Sequence, residues 1–264
     1  MELNLRDLCL DVVELSRQVG INIKIEEKKV NTSDIEIKSR NSLVSYVDKN
    51  AEETIIEGLS ELLPNSGFIA EEGTSDKKSD IYNWIIDPLD GTTNFLYNVP
   101  VYAVSIALQY QDEIVLGVVY EVNRDECFYA WKGGGAFLNQ EKIKVSDRKT
   151  IKESLFATGF PYYDFERTEN YFELLKEIVQ GSRGIRRMGA AAVDLAYVAC
   201  GRFDAFFEYS LQAWDVAAGT LIVKEAGGQV QDFSGGENWL YGKEIVASNR
   251  VINEELMKIV KEKM

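Results

Sequence analysis

The stretch Trp84-Ile85-Ile86-Asp87-Pro88-Leu89-Asp90-Gly91-Thr92-Thr93-Asn94 carries the most structural and chemical information in this chain. Its apolar run predicts a buried strand that delivers two carboxylates, with small hydroxyl residues behind them. Pro88 disfavours helical backbone at Asp87 and has no N–H for a sheet ladder, so the strand is expected to end at Asp87 and turn. A turn would free the Leu89 carbonyl and let Asp87 and Asp90 converge on one point. Hard cations such as Mg²⁺ take oxygen ligands only, which this set supplies. Gly91 lets the backbone approach a ligand closely, and a helix opening near Thr92 would aim unpaired N–H groups at a phosphate. Taken by themselves, two aspartates around a proline also read as a capped turn.

Two further acidic clusters favour the metal site. Glu71 and Glu72 end the apolar run of Gly67-Phe68-Ile69-Ala70, and adjacent like charges repel unless they are solvated or share a cation. Asp215, in Trp214-Asp215-Val216-Ala217-Ala218-Gly219, opens an apolar helix predicted to run to about 225 and to stop at Gly227-Gly228. Alone, Asp215 reads as an N-cap. Each of the three clusters terminates an apolar element.

These residues make the chain resemble the inositol monophosphatase family, which are Mg²⁺-dependent, lithium-sensitive phosphomonoesterases. The resemblance rests on three signatures in order: Phe68–Glu72, then Trp84–Phe95, then Trp214–Gly219 with Glu225-Ala226-Gly227-Gly228. It implies an αβαβα layered sandwich with the site where two halves meet. It also implies that Glu71, Asp87, the Leu89 carbonyl and Asp90 hold one or two Mg²⁺, with Asp215 completing a second site. Two or three ions are expected in all, and Mn²⁺ is an expected substitute. Catalytic roles fall on Glu71, Thr92 and Asp48, which orient and deprotonate the attacking water. Phosphate would meet the amides of Gly91, Thr92 and Thr93. The substrate's hydroxyls would meet Glu208, with Asp90, Gly189, Ala190, Ala191 and Asp215 lining the same pocket. The chain departs from animal members of the family, because Ala190 replaces a threonine and Ala213 a residue often seen in a His-Cys pair. Lys38 and the segment 31–40 match a family region near an additional metal.

Composition agrees with this reading. The 264 residues suffice for one domain, taken here as 1–264 with two closely packed halves of about 1–145 and 146–264. Hydrophobic residues make up 45% of the chain, but no apolar stretch approaches the ~18 residues of a membrane span. The start Met1-Glu2-Leu3-Asn4 has no secretory pattern, so a cytoplasmic, membrane-free protein is expected. Cys9, Cys127 and Cys200 are odd in number and far apart, which fits reduced thiols. The formal charge of −14 argues against direct contact with nucleic acid. It also means that an anionic phosphate would need cations to invert the local field. A homodimer is implied by the resemblance alone.

Absences narrow the chemistry. With no histidine in the chain, phosphohistidine catalysis and His-dependent triads fall away. A cysteine phosphatase needs Arg six residues after its nucleophile, but Leu15, Gly133 and Phe206 stand there. A phospho-aspartate enzyme of the haloacid dehalogenase type would want Asp-x-Asp rather than Asp87-x-x-Asp90, and stays as an alternative. Gly133-Gly134-Gly135 lacks the lysine of a phosphate loop and reads as a turn. Arg183, Arg186 and Arg187 form the one dense basic cluster, read as surface or interface pairing or as a seat for a second phosphate. Myo-inositol 1-phosphate is the leading substrate, with fructose-1,6-bisphosphate or NADP as the alternative. A regulatory binding protein that keeps the fold is the alternative of another class.

Hydrophobic periodicity predicts helices over 3–19 with Gly20 as stop, 49–63 capped by Asp48, 166–180, 191–200, 214–226 and 252–262. Strands are predicted over 67–71, 82–87, 101–110, 114–120, 127–131, 154–159 and 204–208, with a hairpin or loop over 35–47. Residues 73–80, polar and without periodicity, are expected to be the least ordered. Strands interleaved with helices argue for an α+β or α/β layered sandwich.

Overall fold

Strands that read as continuous apolar runs must be covered on both faces, and the molecule covers them with three layers of helices. The computed structural model describes residues 3–30, 36–39, 42–161 and 164–264, with only the backbone path at 36–39 and 42–44. The chain begins with α1 (Leu5–Glu26), the small hairpin β1 (Glu36–Ser39) and β2 (Ser42–Val44), and α2 (Tyr46–Leu62). Next come β3 (Gly67–Ala70), β4 (Tyr82–Asp90), the short α3 (Thr92–Leu96), β5 (Ala103–Tyr110), β6 (Glu113–Glu121) and β7 (Glu126–Trp131). β8 (Gly135–Leu138) and β9 (Glu141–Ile143) complete a seven-stranded sheet in chain order, parallel only between β3 and β4. The remainder contributes β10 (Leu155–Thr158), α4 (Thr168–Gly181), β11 (Gly184–Arg186), α5 (Ala191–Ala199) and β12 (Ala205–Tyr209). It ends with α6 (Ala213–Glu225), β13 (Gln229–Gln231), β14 (Glu244–Ser248) and α7 (Asn253–Lys263). Its sheet has the order β11-β10-β12-β14-β13, with β10 parallel to both neighbours.

Side-chain alternation assigns the layers. Trp84, Ile86, Val104, Ile106 and Leu108 face α1 and α2, where they meet Val12, Val19, Ile55 and Leu59. Ile85, Ala103, Ala107 and Phe128 point the other way, onto α5 and α6. The far side of those helices packs on Phe206, Ile245 and Ala247 of the second sheet. Phe156, Phe207 and Val246 of that sheet then face α4 and α7. The result is the five-layered αβαβα sandwich expected for the family. α6 lies between two sheets, so it is buried nearly all round, from Val216 to Val223, and has no polar stripe.

Four local readings change. α1 continues six residues beyond Gly20, because that glycine packs on Tyr120, whose ring a Cβ would meet at 2.3 Å. Asp48 is not the cap of α2; Ser45 is, and Asp48 is the reciprocal third residue of a capping box. β4 does not end at Asp87 but runs to Asp90 through a bulge, since Asp87 faces Ser105 while Asp90 faces Ala103. One extra residue on β4 therefore replaces the expected turn. Residues 73–80 form no helix or strand, yet they are pinned: Phe68 N–H donates to Lys77 O at 2.7 Å and Lys78 Nζ to Phe68 O at 2.8 Å. The three cysteines are free. Among the described residues no helix is long and apolar enough to cross a membrane. The side chain of Lys38, and residues 31–35, 40 and 41, lie outside the described residues.

Candidate active site

One cavity of about 280 Å³ lies at the carboxyl ends of strands from both sheets, the usual place for a ligand where parallel strands end. Glu71 follows β3, Asp87 and Asp90 close β4, Glu208 sits in β12 and Gly159 follows β10. The cavity is lined by Glu71, Asp87, Leu89, Asp90, Gly91, Thr92, Thr93, Gly189, Ala190, Ala191, Glu208 and Asp215. Every residue named for this pocket from the sequence is thus brought together except Asp48. Asp48 stands behind the wall, where its Oδ1 accepts the Thr92 hydroxyl at 2.9 Å.

Three of the carboxylates are held by backbone. Asp87 Oδ1 accepts the Leu89 N–H at 3.0 Å. Asp90 receives the Ala191 and Ala192 amides at 3.2 and 2.7 Å, which ties the end of β4 to the start of α5. Asp215 is the third residue of a capping box in which Gln212 is the cap, and its Oδ2 accepts the Gln212 N–H at 2.6 Å. The expectation of Asp215 as the cap itself is therefore off by three residues. Gly91 has φ of +94°, a left-handed conformation open to glycine, and a Cβ there would lie 3.0 Å from Val101 O. Thr92 Oγ1 stands between Asp48 and the Leu89 carbonyl, 3.0 Å away, with one proton to donate.

The electrostatics call for a cation. Burial pushes Asp87, Asp215 and Glu208 well above the ordinary carboxylate range, and neighbouring carboxylates push the same way. Burial likewise raises Asp90 to about 7. The donor set is all oxygen, from four acidic side chains and one carbonyl, which fits a hard divalent ion. Among the described residues, no three acidic side chains already stand close enough together to form a ligand cluster.

Three residues in or beside the cavity, Arg187, Asp194 and Glu52, were not placed at this site from the sequence. Arg187 lines the cavity, whereas Arg186 does not and donates to Ile185 O; both are exposed. Asp194 is a lone ionisable residue inside the apolar run Ala191–Ala199, a signal that burial rules make visible. Glu52 of α2 is fully buried and receives Glu72 N–H at 2.7 Å and Thr74 N–H and Oγ1–H at 2.8 Å each. It thereby fixes the loop that carries Glu71.

The model of the inositol monophosphatase family matches residues 8–264. The chain belongs to that family. It is 40% identical to an inositol-1-monophosphatase of Mesorhizobium japonicum, over 97% of each chain. It is also 45% identical to a putative Nus factor SuhB of Neisseria meningitidis, over 84% of this chain and 86% of that one. The crystal structure of the extragenic suppressor protein suhB from Bartonella henselae superposes with a TM-score of 0.91 at 39% identity, covering 96% of this chain and 98% of that one. The protein is therefore a phosphatase, a phosphoric monoester hydrolase, and its substrates are small-molecule phosphates.

Proposed function

We propose that this inositol monophosphatase family member hydrolyses myo-inositol 1-phosphate to inositol and phosphate in a Mg²⁺-dependent reaction. The observation that carries the reading is the convergence of Glu71, Asp87, Asp90 and Asp215, with Leu89, on one cavity. These residues would hold the ions, and bound Mg²⁺ would supply positive charge for the phosphate and acidify water. Glu71 and Thr92, which both line the cavity, would hold the attacking water. With the Thr92 proton given to Asp48, its hydroxyl oxygen is left as an acceptor that orients that water. The amides of Gly91, Thr92 and Thr93 would donate to the phosphate oxygens, and Glu208 would accept from hydroxyls of the alcohol portion. The identity to an inositol-1-monophosphatase supports the choice of ester.

Asp87→Asn tests the site, because the amide oxygen can keep the Leu89 contact while the charge is lost. Phosphate release from myo-inositol 1-phosphate should depend on Mg²⁺ and fall at least ~100-fold in the variant. Turnover that persists in EDTA would refute the metal reading. A second reading, a binding role, is favoured by the relatives named Nus factors. Recovery of RNA polymerase on the immobilised protein in EDTA would support it.

A further inference from the structure

Asp194 is an anomaly in α5. Its residues Ala191-Ala192-Val193-Asp194-Leu195-Ala196-Tyr197-Val198-Ala199 are otherwise apolar and all buried. Asp194 itself is 1% exposed, its Oδ1 has no hydrogen-bond partner, and it lines the active-site cavity. An unpartnered carboxylate oxygen removed from water is destabilising, so its retention beside a cavity points to a donor supplied by a ligand. Its electrostatic neighbours are Glu208, Asp90 and Arg187, all of which line the same cavity. That part of the wall therefore sets three acidic side chains against one guanidinium. Hydroxyl groups, which donate, suit such a wall of acceptor oxygens; a second phosphate, itself an acceptor, would find one guanidinium to donate to it.

We propose that Asp194 is a specificity-determining residue that accepts a hydrogen bond from a hydroxyl of the substrate's alcohol portion, so that Asp194 and Glu208 together select polyol monophosphates over bisphosphates. The proposal rests on the phosphomonoesterase reading above and names the groups that choose the alcohol. It separates Asp194 from Asp90, whose oxygens are taken by the first amides of the same helix.

The test compares Asp194→Leu and Asp194→Asn with the wild type on myo-inositol 1-phosphate, on fructose-1,6-bisphosphate and on p-nitrophenyl phosphate, whose leaving group carries no other hydroxyl. Leucine keeps the branched shape and removes both oxygens, and the loss of a buried unpartnered polar atom offsets the larger methyl groups, so the melting temperature should change little. The expected result is a rise of about tenfold or more in KM for inositol 1-phosphate relative to p-nitrophenyl phosphate. The preference for inositol 1-phosphate over the bisphosphate should fall with it. Asparagine keeps an acceptor oxygen and should show a smaller shift of the same kind, which also serves if the leucine variant does not fold. Equal losses on all three esters, or no change on any, would overturn the assignment of Asp194 while leaving the phosphatase intact. Wild-type protein that turns over p-nitrophenyl phosphate but not inositol 1-phosphate would instead overturn the substrate reading, and this assignment with it.

Discussion

Replacing Glu52 by alanine would disturb the site from a distance and should do so measurably. Its carboxylate accepts three hydrogen bonds from the loop behind Glu71, and Glu71 N–H is bonded to Ile86 O of β4 at 3.2 Å on the other side. Bonds to a charged acceptor contribute about 1.5–3 kcal/mol each when buried. Thr74 is exposed, so water replaces part of that loss, and the net cost is expected at about 2–4 kcal/mol. For 264 residues the unfolding entropy is on the order of 0.55 kcal/mol/K, so the melting temperature should fall by about 4–7 °C. Glu52→Gln retains the volume and one acceptor oxygen and should lose about half as much. The functional readout is the Mg²⁺ concentration for half-maximal turnover, expected to rise about tenfold because Glu71 loses its support. Calorimetry and a Mg²⁺ titration on the same preparation measure both. A lower melting temperature with an unchanged Mg²⁺ requirement would show that Glu71 keeps its place without Glu52, and the reasoning would fail.

Gly159→Ala would place a Cβ 2.1 Å from both carboxylate oxygens of Glu208, while the Gly159 carbonyl is held by Tyr171 Oη at 3.0 Å. Glu208 must then swing, and KM for inositol 1-phosphate should rise about tenfold; an unaltered KM in a folded variant would contradict the role of Glu208. Stability without metal should depend on pH in a definite direction. The buried carboxylates titrate higher in the folded state than in the unfolded chain, so their contribution is present at low pH and is lost as pH rises. For Asp90 the window runs from 3.8 to about 7. Melting temperature in EDTA should fall across that range, and the increment from added Mg²⁺ should grow with pH, since ions and protons compete for the same oxygens. A metal-free melting temperature that climbs from pH 5 to pH 8 would contradict this.

Much of the cavity lining was legible because its acids stand where apolar elements end, and three such junctions stand in the chain. Glu71, Asp87, Asp90 and Asp215 could be named from that pattern and from the family it resembles. Asp48 was legible as a helix start but not as the wrong residue of its cap, since Ser45 lay inside a stretch read as loop. The short strands β8, β9, β11, β13 and β14 escaped notice, because three to five residues carry too little periodicity to distinguish them from loop. Gly20 was misread as a helix stop because its reason for being glycine is the ring of Tyr120, a hundred residues away.

Local rules and composition alone determine the apolar strands, the amphipathic helices, the all-oxygen donor set and the exclusion of histidine and cysteine chemistry. Those are properties of neighbours along the chain. Tertiary structure alone decides that Asp90 is held by the start of α5, that Glu52 steadies the loop of Glu71, and that Asp194, Arg187 and Glu208 share one wall. The reason is that burial, hydrogen-bond completion and electrostatic proximity depend on distance in space. Two stacked sheets bring together residues that lie far apart in sequence.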